Sequence, residues 1–484
     1  MRAIAVLALL LGCSSGKSPG SDSAGPQDSA DDTGDTATRV PIQGLLQFKV
    51  EHNLETDDCL ARGDCHGQLE ETDDVAGWLA DIATDSTAPV LHWDRPIPWD
   101  VMATAAPSDA DPAAFHDARL DPDLVAWVDA FATRFSAQPG GYLAVSMLDG
   151  DRASPAPLWL GSDASQPVGS ACMELGPGTR LDIDGEPVEL SAAYAEFIRY
   201  LHAKLSPERL GLMVEVNMYE TLCPSQWPAM VALYHDIFDR TRATVGPEPA
   251  LFATFTLVEL LGYDPDACFG GLNWTACDDP VADPPEVTSG EACFPLHTEP
   301  LLELADGDRM DILALSFYPH SMDLSPPDVV LDLSLWEGGD EPAGDCSYQA
   351  RHPNFSAGDG PLDQLDRLPW DGPMALAETS ARGCSTWAYI VDGTSGTHWW
   401  VDSPGSEANQ EWWVRRLVEV SREREMDMLV GAFRNDYAPM GPWLVRDEVM
   451  DPSDWGLLNH WACSGIRQAD GTDKTGITEL WQSW

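Results

Sequence analysis

The stretch Pro373-Met374-Ala375-Leu376-Ala377-Glu378-Thr379-Ser380 is an apolar, strand-length run that ends in a carboxylate where it gives way to Ser, Arg and Gly. Period-two alternation puts Met374, Leu376 and Glu378 on one face and leaves Ala375 and Ala377 as a flat back on which a helix can lie. A strand of this kind, buried on both sides, places its terminal carboxylate at the mouth of a packed barrel.

Outward from this segment, helical and strand-like patterns alternate. Val75, Trp78, Leu79 and Ile82 make one helical stripe; Leu124, Trp127, Val128, Phe131 and Phe135 make a second; Tyr194, Phe197, Ile198, Leu201 and Leu205 make a third. Trp227-Pro228 opens another helix, with Pro in the tolerated first turn, and residues 409–424 form the last long one. Strand candidates cover 45–53, 89–94, 142–149, 212–217, 251–257, 311–318, 374–378 and 428–435. Eight strands alternating with helices, with long insertions after the strands, predict an α/β fold, a (β/α)8 TIM barrel whose site lies at the C-terminal ends of its strands. A doubly wound sheet is the rival, but no Gly-rich phosphate turn follows any strand.

The N-terminus carries targeting chemistry. Residues 1–12 combine Arg2 with an apolar stretch too short to span a bilayer, which reads as a lipoprotein signal peptide. Leu10-Leu11-Gly12-Cys13 resembles the bacterial lipobox, which makes Cys13 the lipid attachment site, and Ser14 after it points to an outer-membrane or cell-surface destination. Residues 13–40 are Ser, Asp, Gly and Thr with few apolar side chains, so they form a disordered tether. The folded domain spans 41–484. Setting Cys13 aside leaves ten of the 11 cysteines, and an even number in an exported chain predicts five disulfides. Cys268, Cys277 and Cys293 mark residues 264–297 as a disulfide-stapled loop inserted between core elements.

With 27 basic and 80 acidic residues the formal charge is −53, which argues against nucleic acid and other polyanions as partners. A neutral or cationic ligand fits better. The 19 Trp suit a site that grips ring-shaped ligands, with Trp93, Trp99, Trp274, Trp399, Trp400 and Trp443 as candidates for stacking on sugar faces. Polar side chains gather at the predicted strand ends: Lys49, Glu51 and His52 on the first, His92 and Asp94 on the second, Asp149 on the third. Glu215 and Asn217 end the fourth, Ser316 and Tyr318 the sixth, Glu378 the seventh and Arg434 the eighth. Charges among apolar strand residues are expensive to bury unless paired, so this density implies a polar cavity or an ion-pair network.

At four places the chain resembles the retaining glycoside hydrolases built on (β/α)8 barrels, most nearly the β-1,4-galactanases. Ala314-Leu315-Ser316-Phe317-Tyr318-Pro319-His320 is similar to the sixth-strand segment whose Tyr bonds the nucleophile, and Ala377-Glu378-Thr379 to the seventh-strand segment that supplies it. Gln410 sits where such barrels often carry Gln. Trp455-Gly456-Leu457-Leu458, Asp470-Gly471-Thr472-Asp473-Lys474 and Leu480-Trp481 resemble the close of many of them. The pattern fails on the fourth strand. The clan ends it in Asn-Glu, with the Glu as acid/base, whereas this chain reads Glu215-Val216-Asn217-Met218-Tyr219-Glu220. A thioether neither gives nor takes a proton, so Met218 cannot serve.

The resemblance implies Glu378 as nucleophile, with Glu215 preferred as its partner over Glu220, Asp149 and Glu259. It also implies Asn217 on the sugar 2-hydroxyl and Tyr318 orienting Glu378. Trp93, His92, Asp94, Lys49 and Arg434 complete the expected substrate-binding set, Lys49 or Arg434 keeping Glu378 ionised. The expected substrate is a neutral carbohydrate, with no metal and no organic cofactor, and the membrane contact is the lipid anchor of a monomer. Two other classes compete: a carbohydrate-binding surface protein without turnover, supported by Met218, and a metal-dependent hydrolase recruiting His52, His92, Asp94 and Asp149.

Overall fold

The computed structural model describes residues 39–52, 67–69, 75–161, 164–263, 293–319, 348–349, 360–392, 397–437, 439, 458–459 and 461–484. The signal segment, Cys13 and most of the tether lie outside them, as do Trp274, Trp443 and residues 264–292 of the insertion.

Eight parallel strands form the barrel: β1 (Ile42–Leu45), β2 (Val90–Trp93), β3 (Tyr142–Val145), β4 (Arg209–Gly211), β5 (Ala250–Phe252 continuing as Thr254–Thr256), β6 (Leu313–Phe317), β7 (Met374–Thr379) and β8 (Met428–Gly431). Hydrogen bonding runs β2-β3-β4-β5 through the first piece of β5, then β5-β6-β7-β8-β1 through its second piece. The ring therefore closes if β1 meets β2. Backbone N–H groups of Thr87 and Ala88 donate to Gln43 O at 2.9 and 3.3 Å. Further along, the Gln47 amide takes the place of a backbone partner: Nε2 donates to His92 O at 2.6 Å and Oε1 accepts from His92 N at 3.2 Å. Gly44 makes the approach possible, since a Cβ there would lie 2.1 Å from Val90 Cγ2.

The helices return as the apolar stripes require. α1 (Val75–Ala83), α2 (Pro122–Ala137), α3 (Leu190–Leu205) and α4 (Trp227–Val245) follow β1 to β4. α5 (Glu299–Ala305), a 3-10 segment at Pro361–Arg367, α6 (Glu407–Glu423) and α7 (Ile477–Gln482) follow β5 to β8. Their starts obey local chemistry: Asp121 accepts from Asp123 N at 2.8 Å ahead of Pro122, and Ser406 Oγ accepts from Asn409 N at 3.2 Å. On α4, Met230, Leu233, Tyr234 and Ile237 are fully buried, each such side chain contributing roughly 1.5–3 kcal/mol. Disulfides join Cys172 to Cys223 and Cys384 to Cys463, and Cys293 is also disulfide-bonded.

Three expected strands are displaced. β1 is Ile42–Leu45, ending at the first residue of the expected 45–53, β4 is Arg209–Gly211 instead of 212–217, and β8 stops at Gly431 instead of 435. The alternation read into β7 also breaks. Leu315 pairs with Leu376 and Ser316 with Glu378, so Ala377 is an extra residue, a β-bulge. Parallel partners share a face, which sets Glu378 with Ser316 and Ala375 with Ala314, opposite to Leu376. The bulge re-aims Glu378 into the barrel, and Ala375 is not part of the helix-facing back.

At the N-terminal end the barrel is plugged by Arg209, which is 0% exposed. Its Nε and Nη2 donate to Asp427 Oδ2 and Oδ1 at 2.5 and 3.1 Å, Nη2 to Val40 O at 2.7 Å and Nη1 to Gly140 O at 3.1 Å. Arg209 opens β4 and Asp427 precedes β8, on opposite sides of the ring, so this pair ties the floor together. Removing one partner strands a buried charge. Arg209→Leu is expected to lower unfolding free energy by about 3–5 kcal/mol in urea denaturation; a loss under about 1 kcal/mol, the range of exposed pairs, would contradict the plug.

Candidate active site

At the opposite end, residues just past the strands converge. β7 delivers Glu378, 9% exposed, whose Oε1 accepts the phenolic proton of Tyr318 from the end of β6. His92, fully buried on β2, lies beneath it. Its Nδ1 is 3.3 Å from Glu378 Oε2, outside hydrogen-bond geometry, and its Nε2 is 2.9 Å from the Tyr142 hydroxyl on β3. Burial, then the facing Glu378, pushes both the Tyr142 and Tyr318 phenols well above the usual tyrosine range.

Glu215 is where the displaced fourth strand matters. β4 ends at Gly211, the chain leaves regular pairing, and Glu215 takes a left-handed φ of +50° while its N–H donates to Thr254 Oγ1 at 2.7 Å. The residue is 7% exposed, and its carboxylate meets a residue not anticipated from the sequence, Arg152. Arg152 Nε and Nη2 donate to Glu215 Oε2 at 3.3 and 3.2 Å, and Nη1 reaches Asp94 Oδ1 at 3.1 Å and Ser146 Oγ at 3.4 Å. Burial lifts the Glu215 carboxyl to about 7, with Arg152 opposing and the charges of Glu378 and Asp94 adding to the rise. Burial works against the Arg152 charge, but Asp94, Glu215 and Glu378 outweigh it and hold the guanidinium above its ordinary range.

Glu378, Glu215, Tyr318, His92 and Asp94 are thus brought together, and four other expected site residues are placed elsewhere. Trp93, 0% exposed, points away from its neighbours and packs against Trp127 and Phe197 at centroid distances of 5.2 and 4.9 Å, so it cannot stack on a sugar. Asn217 opens the short helix Asn217–Leu222 and exchanges amide bonds with Thr256, Nδ2 to O at 3.0 Å and Oδ1 from N at 2.8 Å. Arg434 Nε pairs with the buried Asp85 at 2.8 Å beside Trp78, and the Lys49 ammonium lies 5.5 Å from the centroid of that Trp. Met218, on the same short helix as Asn217, is buried.

Two of the other carboxylates weighed as acid, Glu220 and Glu259, belong to a different neighbourhood around His297. Glu220 is 3.6 Å from His297 and Glu259 Oε2 accepts from Thr221 Oγ1 at 3.2 Å, burial raising both carboxyls. Asp149 lies beside the cluster, within the influence of Arg152 and Asp94; burial raises its carboxyl too, and its Oδ1 accepts from Gly150 N at 2.8 Å. Gln410 and Lys474, two of the motif residues, bond one another at 2.6 Å behind β8, and Lys474 also holds Asp436. Among the described residues no group of three or more His, Cys, Asp and Glu side chains converges as a metal site.

Arg152 had one signal in the sequence, a lone cation in Asp149-Gly150-Asp151-Arg152 directly after a strand of an acidic chain. Tyr142 had none, because an aromatic in an apolar strand reads as core.

No protein-family model and no curated protein sequence matches the chain. Among solved structures, an exo-β-1,4-mannosidase from Opitutaceae bacterium strain TAV5 aligns over 94% of this chain at 12% identity and TM-score 0.43; this chain spans 62% of that one. The GH53 catalytic domain of Ignisphaera aggregans aligns over 86% of this chain and 88% of its own at 13% identity and TM-score 0.38. A GH113 β-1,4-mannanase does so over 92% and 99% at 11% identity and TM-score 0.36. The barrel itself rests on strand order and pairing.

The elevated Glu215 carboxyl has a thermodynamic consequence. Between about 4.5 and about 7 the folded protein holds a proton that the unfolded chain has released, so this stabilisation is full below the unfolded value and is lost as pH rises through the folded one. Measured by urea denaturation, wild type minus Glu215→Gln should fall by up to roughly 3 kcal/mol from pH 4 to pH 8. A difference independent of pH, or rising with it, would contradict the assignment.

Proposed function

We propose that the protein is a retaining glycoside hydrolase in which Glu378 is the nucleophile and Glu215 the acid/base. The observation that carries this reading is the convergence of these two buried carboxyls from β7 and the end of β4, one on the Tyr318 phenol and the other lifted to about 7. Retaining hydrolysis needs two carboxyls with unlike roles, about 5–5.5 Å apart, and unlike environments separate the roles.

In the first step a Glu378 oxygen bonds to the anomeric carbon as the glycosidic C–O bond breaks, and the Glu215 proton goes to the departing oxygen. In the second, water bonds to the same carbon, its proton passes to Glu215 and the ester bond to Glu378 breaks. Tyr318 fixes the nucleophile through its phenolic hydrogen bond while His92 packs beside it, a positional constraint of the kind that lowers barriers. The partial exposure of the Asp94 side chain, 23%, supports a role for it in accepting hydrogen bonds from sugar hydroxyls. The three carboxylates Asp94, Glu215 and Glu378 around one guanidinium favour a neutral carbohydrate over an anionic one.

The lipobox-like Leu10-Leu11-Gly12-Cys13 supports export and anchoring through an acylated Cys13, with the barrel held off an outer membrane or cell surface by residues 13–40. Oxidised cysteine pairs fit the same location, since disulfides persist in oxidising compartments. A binding protein without turnover is the second reading, favoured by the ion pair that occupies Glu215 in this structure.

A panel of neutral glycans and aryl glycosides separates the two. Turnover is expected in the wild type and should fall by at least about 100-fold in Glu378→Gln and in Glu215→Gln. Glycan binding with no turnover in any of the three would favour the binding protein; loss in Glu378→Gln alone would exclude Glu215.

A further inference from the structure

The hydrolase reading leaves one placement unexplained. Arg152 is the cation bonded to Glu215, and the loop that carries it is built tightly. Asp151 Oδ1 accepts from Ala153 N and Ser154 N at 2.8 Å each, Arg152 N donates to Asp149 O at 2.9 Å, and Asp149 N to Ser154 O at 2.8 Å. Within this frame Arg152 has φ +54°, a conformation that costs a non-glycine residue about 1 kcal/mol or more and persists only where its surroundings enforce it. The fork is aimed with care. Both bonds to Glu215 go to Oε2, and Oε1 takes neither.

We propose that Arg152 is a positioning residue that grips Glu215 through Oε2, presents Oε1 to the cup and favours the carboxylate over the acid form, so that Glu215 serves the water-activating step more than the leaving-group step. This rests on the reading of Glu215 as acid/base. The groups facing Glu215 are Arg152 from the loop after β3, Asp94 from β2, Glu378 from β7, and the phenols of Tyr142 and Tyr318 from β3 and β6. Asp94 and Glu378 favour the protonated form of Glu215, and among these groups Arg152 supplies the opposing charge. Once Glu378 is bonded to the anomeric carbon it is an uncharged ester. One of the two carboxylate charges that favour the proton on Glu215 is then gone while Arg152 remains. Glu215 takes the proton of the incoming water as the water oxygen bonds to carbon, and Glu378 departs as carboxylate.

The test uses Arg152→Gln and a dinitrophenyl glycoside of whichever sugar the wild type cleaves. This leaving group needs no acid, so kcat/KM reports attack by Glu378 and kcat reports attack by water. The expected result is a fall in kcat of at least about tenfold with kcat/KM changed less than about threefold. The covalent intermediate should become visible by intact-mass analysis, and azide, a nucleophile that needs no base, should restore kcat. Equal falls in both parameters without azide rescue would mean a merely structural role and would overturn the proposal.

Arg152→Lys, which keeps the charge and loses the fork, is the second variant should Arg152→Gln not fold, and the same split at smaller amplitude is expected. Carbon-13 NMR titration of Glu215 needs no substrate: its midpoint should rise in Arg152→Gln, and an unchanged or lower midpoint overturns the proposal even in an active enzyme. A wild type that turns over no glycoside, yet shows the midpoint rise, would refute the hydrolase reading and confine Arg152 to holding the carboxylate.

Discussion

The mouth of this barrel crowds Asp94, Glu215 and Glu378 around one guanidinium in space largely closed to water. Two unit charges about 4 Å apart interact by about 4 kcal/mol at an effective dielectric of 20, so such a cluster cannot form unless the surrounding chain enforces it. The physical problem is solved unequally. Glu378 receives a phenolic hydrogen bond and Glu215 a cation, and Glu215 in addition holds its proton to about 7. That inequality is what chemistry at two carboxyls requires.

The fold supplies the enforcement by small departures from regularity. One extra residue, Ala377, turns Glu378 inward. An early end to β4 and a left-handed backbone bring Glu215 to the rim, and a second left-handed residue aims Arg152 at it. Beneath them the ring must not breathe. Gln47 stitches the β1–β2 seam where the ladder is incomplete, and Arg209 with Asp427 ties the two halves of the floor.

Much of this was legible in the sequence, for physical reasons. Strands buried on both faces read as short apolar runs, and helices packed on one side read as stripes, so the eight-fold alternation stood out. The carboxylates and the histidine stood out because charge in an apolar run is costly. What failed were features that leave no periodic trace. The bulge in β7 reverses the faces assigned by alternation, and it assigned Ala375 to the wrong side. β4 is set by pairing of Arg209, Leu210 and Gly211 with β3 and β5, a tertiary constraint that overrode the apolar stretch from Leu212. With the strand displaced, Asn217 became a helix-opening residue bonded to Thr256. Trp93 was misjudged because alternation sends it outward between His92 and Asp94, and Arg434 because its partner, Asp85, precedes the strand that no local pattern links to β8. Arg152 is visible only once the loop after β3 is folded back over the cup.

Retaining hydrolysis through the proposed pair requires that Glu378 become covalently bonded to the sugar. Incubating the protein with 2-deoxy-2-fluoro glycosides of the sugar it cleaves, then locating the adduct by peptide mass spectrometry, measures this directly. A single adduct on Glu378 is expected. An adduct on Glu215 or any other carboxylate, or none from a glycoside whose parent is hydrolysed, would contradict it.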